Sequence, residues 1–154
     1  MAERKKQVQE GMVDISEKNI TKRAAMASSQ IKMSQKAFDI LIKKGSPKGD
    51  VFETAKVAGI MAAKNTPQII PMCHPLGLNK VNVNLSVNRK EYSVIIKAEV
   101  ICQGKTGVEM EALVAVSAAA LTVYDMMKWA DRGMVISDVQ LLYKEGGRSG
   151  VYRR

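Results

Sequence analysis

The run "ICQGKTGVEMEA", Ile101 to Ala112, joins a Gly-Lys-Thr triplet to two carboxylates, Glu109 and Glu111. Gly-Lys-Thr is the tail of a phosphate-binding P-loop, but the first glycine of that motif would have to stand where Glu99 does. Thr106 and Glu109 have the spacing of a capping box instead, so a strand-to-helix turn with Thr106 at the N-cap is expected. Asp125 and Lys128 lie three apart on the helix that follows and share a face. That pair reads either as a surface ion pair of small worth or as the polar end of a packed face. The second reading draws on one stripe of small residues, Ala115, Ala118 and Thr122, bracketed by Glu111 and Asp125. His74 is the one histidine, held in "PMCHPLGL" between prolines. It is either a structural ring or a functional side chain on a rigid loop. Lys48 in "PKGD" precedes a helix start, where an anion would meet its ammonium and free backbone N–H groups. Lys144 and Arg148 flank "EGG" and could grip phosphate, or could serve solubility alone.

Composition narrows the chemistry. Two cysteines, Cys73 and Cys102, with a single histidine are too few for a four-ligand zinc site, so no metal is expected. The thiols are expected to stay free. A net charge of +9 points to anionic partners, either nucleic acid or a phosphorylated metabolite, or to a solubility surplus. Aromatic residues are only 5%, which weakens any reader that stacks bases on rings. The 154 residues, 46% of them hydrophobic, suit one domain with a real core. No apolar run approaches the roughly 20 residues of a membrane helix, and "MAERKKQVQE" lacks the apolar stretch of a signal peptide. A cytoplasmic protein with no membrane partner is expected.

The elements that must position these side chains can be read from periodicity. Residues 1 to about 12 are polar and charged, and 1 to 11 are set apart as a flexible N-terminal segment. Residues 20 to 33 alternate loosely as a strand. Ser34 caps a short helix with Ala37, Phe38, Leu41 and Ile42 on its apolar stripe, and Gly45 stops it. Asp50 opens a second helix rich in Ala and Gly, so a close neighbour is expected. Prolines 67, 71 and 75 exclude a regular helix or central strand. Val81 to Val87 and Tyr92 to Val100 alternate as a hairpin around "NRKE". A long helix runs from Val108 to about Ala130, and a last strand from about Met134 to Lys144 carries Val139, Leu141 and Tyr143 on one face. The order is the split βαβ pattern of an α+β, ferredoxin-like sandwich: an antiparallel sheet with helices on one face, plus one extra helix.

Five blocks, "KGDVFETAKVAGI", "PMCHPLGL", "GKTGVEMEAL", "LTVYDMMK" and "LLYKEGGRSG", resemble the molybdenum cofactor biosynthesis protein C family, the cyclic pyranopterin monophosphate synthases. "MVDIS" at 12 to 16 resembles the family's start, and the likeness extends to Gly150 within a single domain spanning 12 to 154. The resemblance implies an enzyme that takes a 3',8-cyclised dihydro-GTP, rebuilds it into a pyranopterin with a cyclic phosphate, and releases pyrophosphate. It implies no cofactor. It makes Asp125 and Lys128 catalytic and lines the substrate site with Met72, Cys73, His74, Met110 and Glu111. Lys48, Glu109 and Lys144 match further polar positions of that site. It also implies a homohexamer, a trimer of dimers with sites at the dimer interface. An aspartate beside a lysine is a sound acid–base pair for such chemistry. A basic RNA-binding module on the same fold is the competing reading. It is disfavoured because the two hairpin strands offer only Tyr92 for stacking.

Overall fold

The computed structural model describes residues 11–154. The N-terminal segment set apart as 1 to 11 therefore lies, except for Gly11, outside the described residues. The elements are β1 (Thr21–Lys32), α1 (Gln35–Lys43), α2 (Val51–Lys64), α3 (Thr66–Ile69), β2 (Leu78–Asn88), β3 (Ser93–Gly104), α4 (Glu109–Met127), β4 (Val135–Glu145) and β5 (Tyr152–Arg153). The strands form one sheet in the order β2-β3-β1-β4-β5, with every neighbouring pair antiparallel. Through β4 this is the order of the expected ferredoxin-like sandwich, and β5 covers the outer edge of β4.

Local chemistry explains most boundaries. The Ser34 hydroxyl accepts from the Ala37 N–H, and the Asp50 carboxylate from the Glu53 N–H, so both helices start where their caps stand. Gly45, at φ +72°, closes the end of α1 by donating to the Ile40 carbonyl. The proline-rich segment forms one helical turn, α3, with Pro67 in the first turn, where a missing N–H leaves no bond unmade. Thr106 is not the N-cap of α4. That position is Val108, with no side-chain bond to the helix start. Val108 is 1% exposed, so burial of its side chain sets the entry into the helix. The Glu109 carboxylate lies over Gly107, where a Cβ would collide with it.

Small residues let the layers approach. Ala25, Ala27, Ser29 and Ile31 of β1 are buried beneath α4, and the Ser29 hydroxyl donates to the Val116 carbonyl at 2.9 Å. A Cβ on Gly59 of α2 would stand 3.0 Å from the Ala115 carbonyl and 3.1 Å from Val83, so α2 packs closely on both α4 and β2. Ala115 is thereby fully buried within the chain, whereas Ala118 and Thr122 remain half-buried. The small-residue stripe is thus covered by α2 at Ala115 and left half-buried at Ala118 and Thr122. α4 has the length and hydropathy of a membrane span, yet 56% of it is buried inside the molecule, which marks it as the core helix. In β4, register shifts and Asp138 at φ +53° break the alternation. Val139 is accordingly 45% exposed while Leu141 packs on the core, so the two do not share a face as the alternation suggests.

Register also fixes where chemistry is placed. At one end of the sheet Thr21 faces Gly104 and Ala24 faces Glu145. At the other, Lys32 faces both Ser93 and Val135. α4 leaves the first end, after β3, and returns to the second before β4.

Candidate active site

The expected site residues fall into separate groups at the two ends of α4. Met72, Cys73, His74, Glu109, Met110 and Glu111 line one cavity of about 280 Å³ at the first end. The loop after α3 supplies the first three, and the first turn of α4 the others. The His74 Nε2 lies 2.7 Å from the Val13 carbonyl. A carbonyl only accepts, so Nε2 carries the hydrogen, and a neutral ring keeps Nδ1 as an acceptor. Glu111 is 3% exposed, and burial raises its carboxyl above the ordinary range, with Glu109 adding to the rise. Burial, and secondarily the Glu111 charge, pushes the Cys73 thiol up as well. The same causes raise Cys102, so neither cysteine is an activated nucleophile.

A second cavity of about 400 Å³ adjoins this one, since Lys18 lines both. Its other walls include Thr21, Arg23, Arg148 and Ser149. Arg23 is 9% exposed, and its Nε donates to the Gly104 carbonyl at 3.3 Å. Gly146 and Gly147, at φ +102° and +75°, wrap this arginine, and a Cβ on either would collide with it or with the neighbouring backbone. Lys144 donates to Ser149 on the rim. Arg23 and Lys18 were not legible as site residues in the sequence. The signal that could have found Arg23 is the "EGG" pair, because two adjacent positive-φ glycines imply something bulky against the backbone.

The third group sits at the C-terminal end of α4. Asp125 binds two ammonium groups, Lys48 at 2.7 Å and Lys128 at 2.8 Å. All three side chains are 52% exposed. Hydrogen bonds from Lys128 first and Lys48 second lower the Asp125 carboxyl to about 2. The same bond from Asp125 raises Lys128, keeping it an ammonium. The Lys48 loop is docked here because Ser46 donates to the Met126 carbonyl at 2.7 Å, and the two lysines suit the negative end of the helix. The Lys48 ammonium, which precedes the start of α2 in "PKGD", is thus engaged by the Asp125 carboxylate.

Glu111 and Asp125 are 125 − 111 = 14 residues apart on α4, roughly 21 Å along the axis. Between them runs an open apolar strip made by Met110, Leu113, Val114, Ser117, Ala118 and Leu121, with Ile69 and Ile70 beside it. Among the described residues no group of three or more His, Cys, Asp or Glu is arranged to hold a metal.

One prediction follows from the burial of Glu111. Its folded carboxyl keeps a proton to higher pH than the unfolded one, so folding stability falls as pH rises from the ordinary glutamate value through the raised one. Glu111→Gln should therefore unfold at higher urea than the parent at pH 7, and the gain should shrink at pH 4. A constant difference across that range would mean the carboxyl is not strained by burial.

The chain is similar over most of its length to a set of known enzymes. Three relatives are cyclic pyranopterin monophosphate synthases, from Helicobacter hepaticus, Staphylococcus carnosus and Campylobacter lari. The first is 52% identical over 93% of this chain and 90% of its own length. The second is 54% identical over 93% and 89%, and the third 52% over 93% and 91%. The MoaC family model matches residues 12–147, a span that takes in the first cavity, the second except for Arg148 and Ser149, and the Lys48–Asp125–Lys128 group, so the chain belongs to the MoaC family.

Proposed function

We propose that this chain converts a 3',8-cyclised dihydro-GTP into cyclic pyranopterin monophosphate and releases pyrophosphate. The observation that carries the reading is the junction of the two cavities at Lys18. One has a histidine, a buried glutamate and a sulfur-lined wall suited to a polar ring system. The other is walled by Arg23 and Arg148 and suits a triphosphate. Forming the cyclic phosphate exchanges one bond at the α-phosphorus for another, and pyrophosphate departs with its charge stabilised by such cations. Lys128 is the proton carrier in this reading. Asp125 remains a carboxylate at neutral pH, so its part is to orient Lys128 and Lys48 and to stabilise their charge.

Completing the site takes a second copy. The ring cavity and the lysine pair of one chain lie too far apart for one nucleotide to touch both. The apolar strip of α4 supports an antiparallel two-fold pairing, which brings Glu111 of one copy beside Asp125 of the other. Dimers of this kind are the unit from which a cytoplasmic homohexamer, a trimer of dimers, would be built.

The RNA-binding reading loses its one stacking ring on the hairpin. Tyr92 packs edge-on against Phe38, with ring centroids 5.9 Å apart, and so does not face outward to stack. The test supplies the purified protein with the cyclised nucleotide and measures product and pyrophosphate. Equal amounts of both are expected, with no competition by RNA. Absence of pyrophosphate release together with tight RNA binding would overturn the reading.

A further inference from the structure

Residues 12 to 19 lie along the ring cavity, with Val13 and Ile15 among its walls. Two side chains from separate loops, those after α3 and after β3, grip this segment by its backbone. His74 holds the Val13 carbonyl at 2.7 Å, and Lys105 donates to the Ser16 carbonyl at 2.9 Å. Between these points Asp14 accepts from the Ser16 N–H at 2.9 Å and from its hydroxyl at 2.6 Å, closing a tight local turn. Lys18 follows at once and stands where the two cavities meet.

We infer that Lys105 is a positioning residue: it clamps the 12–19 strap so that Lys18 meets the substrate between its ring and its first phosphate. The inference rests on the proposed reading of the two cavities. It gives the Gly-Lys-Thr triplet a use unlike that of a P-loop lysine. The ammonium is spent on a carbonyl of the protein, and the cation delivered to the ligand is a different one. The local chain is built for this. The strap makes few contacts of its own, with Met12 and Val13 about half exposed, so side chains from outside must fix it. Hydrogen bonds within the Asp14 turn, with the Lys105 charge adding, hold the Asp14 carboxyl below the ordinary range, so the turn keeps its acceptor at neutral pH.

The test combines hydrogen exchange with binding and kinetics on the full-length protein. Lys105→Met should speed exchange of the 12–19 amides by about tenfold while α4 amides stay unchanged. It should raise KM by about tenfold, the scale of one charged hydrogen bond, and leave kcat within about twofold. Lys105→Arg, which still donates, should restore both. Lys18→Ala should raise KM similarly with exchange of the strap unchanged. Unaltered exchange at 12–19 in Lys105→Met would overturn the clamp. A fall in kcat at constant KM would move Lys105 into the chemistry itself. Titration with inorganic pyrophosphate gives a binding readout that does not depend on turnover. If the parent protein proves inactive on the cyclised nucleotide, the exchange and pyrophosphate arms still decide the clamp separately from the proposed reaction.

Discussion

Lys128→Ala should lose about two to four powers of ten in turnover, the usual effect of removing a general acid or base, while remaining folded. Its side chain is 52% exposed, so the loss would be chemical. Asp125→Ala should fall by a similar factor for a different reason. It leaves Lys48 and Lys128 as adjacent like charges with nothing between them, which spreads them and lowers the Lys128 affinity for its proton. Asp125→Asn keeps the shape and part of the hydrogen bonding, and should retain more activity than the alanine variant. The pH profile separates the two roles. Asp125, lowered to about 2, stays ionised through the neutral range and contributes no acidic limb near pH 4 to 5. If ammonium is the working form of Lys128, activity declines on the alkaline side only above the ordinary lysine range, because Asp125 raises it. Near-normal turnover by a folded Lys128→Ala protein would remove it from the reaction.

The second large effect is recovery of activity in mixed dimers. Glu111→Ala and Asp125→Ala proteins, each inactive alone, are dissociated, mixed and reassociated. Where sites are shared in the antiparallel manner, one mixed dimer holds one site with both lesions and one with neither. Random pairing makes about half of all dimers mixed, each with one of two sites intact, so about a quarter of parental activity is expected. A pair of lesions on the same side of one site, such as Asp125→Ala with Lys128→Ala, gives no such recovery. Failure of the first mixture, with mixed dimers demonstrated by mass spectrometry, would mean that each chain completes its own site. The geometry that motivates the test is the 14-residue gap along α4 and the uncovered apolar strip between its ends.

Much of this architecture was legible because its signals are local. Strict alternation wrote the β2–β3 hairpin into the sequence, and Ser34, Gly45 and Asp50 announced helix ends through their own hydrogen bonds. What stayed hidden depends on contacts between residues far apart. The Thr106–Glu109 spacing matched a capping box, but burial of Val108 decided the entry to α4. Arg23 sits in an alternating run and reads as a solvated charge, until the register brings Gly104 beside it and the glycine pair around it. Lys105 matched only the tail of a nucleotide motif that the rest of the run excludes, and nothing in its neighbours names Ser16 as its partner. The Lys48–Asp125 bond spans 77 positions, and only the folded loop at Ser46 brings it about. Sulfur and histidine placement in the proline-flanked loop was readable as a candidate site, whereas which carbonyl the histidine would hold was not.

The central place of β1 carries a consequence for how the protein is made. β1 leaves the ribosome well before either of its neighbours in the sheet, β3 and β4, which come late in the chain. Between the end of β1 and the start of β3 lie 93 − 32 = 61 positions, roughly 3 to 12 s of synthesis at about 5 to 20 residues per second. Through that interval a strand destined for the middle of the sheet has both edges bare. Its core-facing side is mostly small, Ala25, Ala27 and Ser29, and offers less for wrong partners to grip than a valine-rich strand would. Modest stickiness in the waiting strand is thus the other face of close helix packing. The same alanines that let α4 settle onto the sheet keep the nascent chain tractable until β3 arrives.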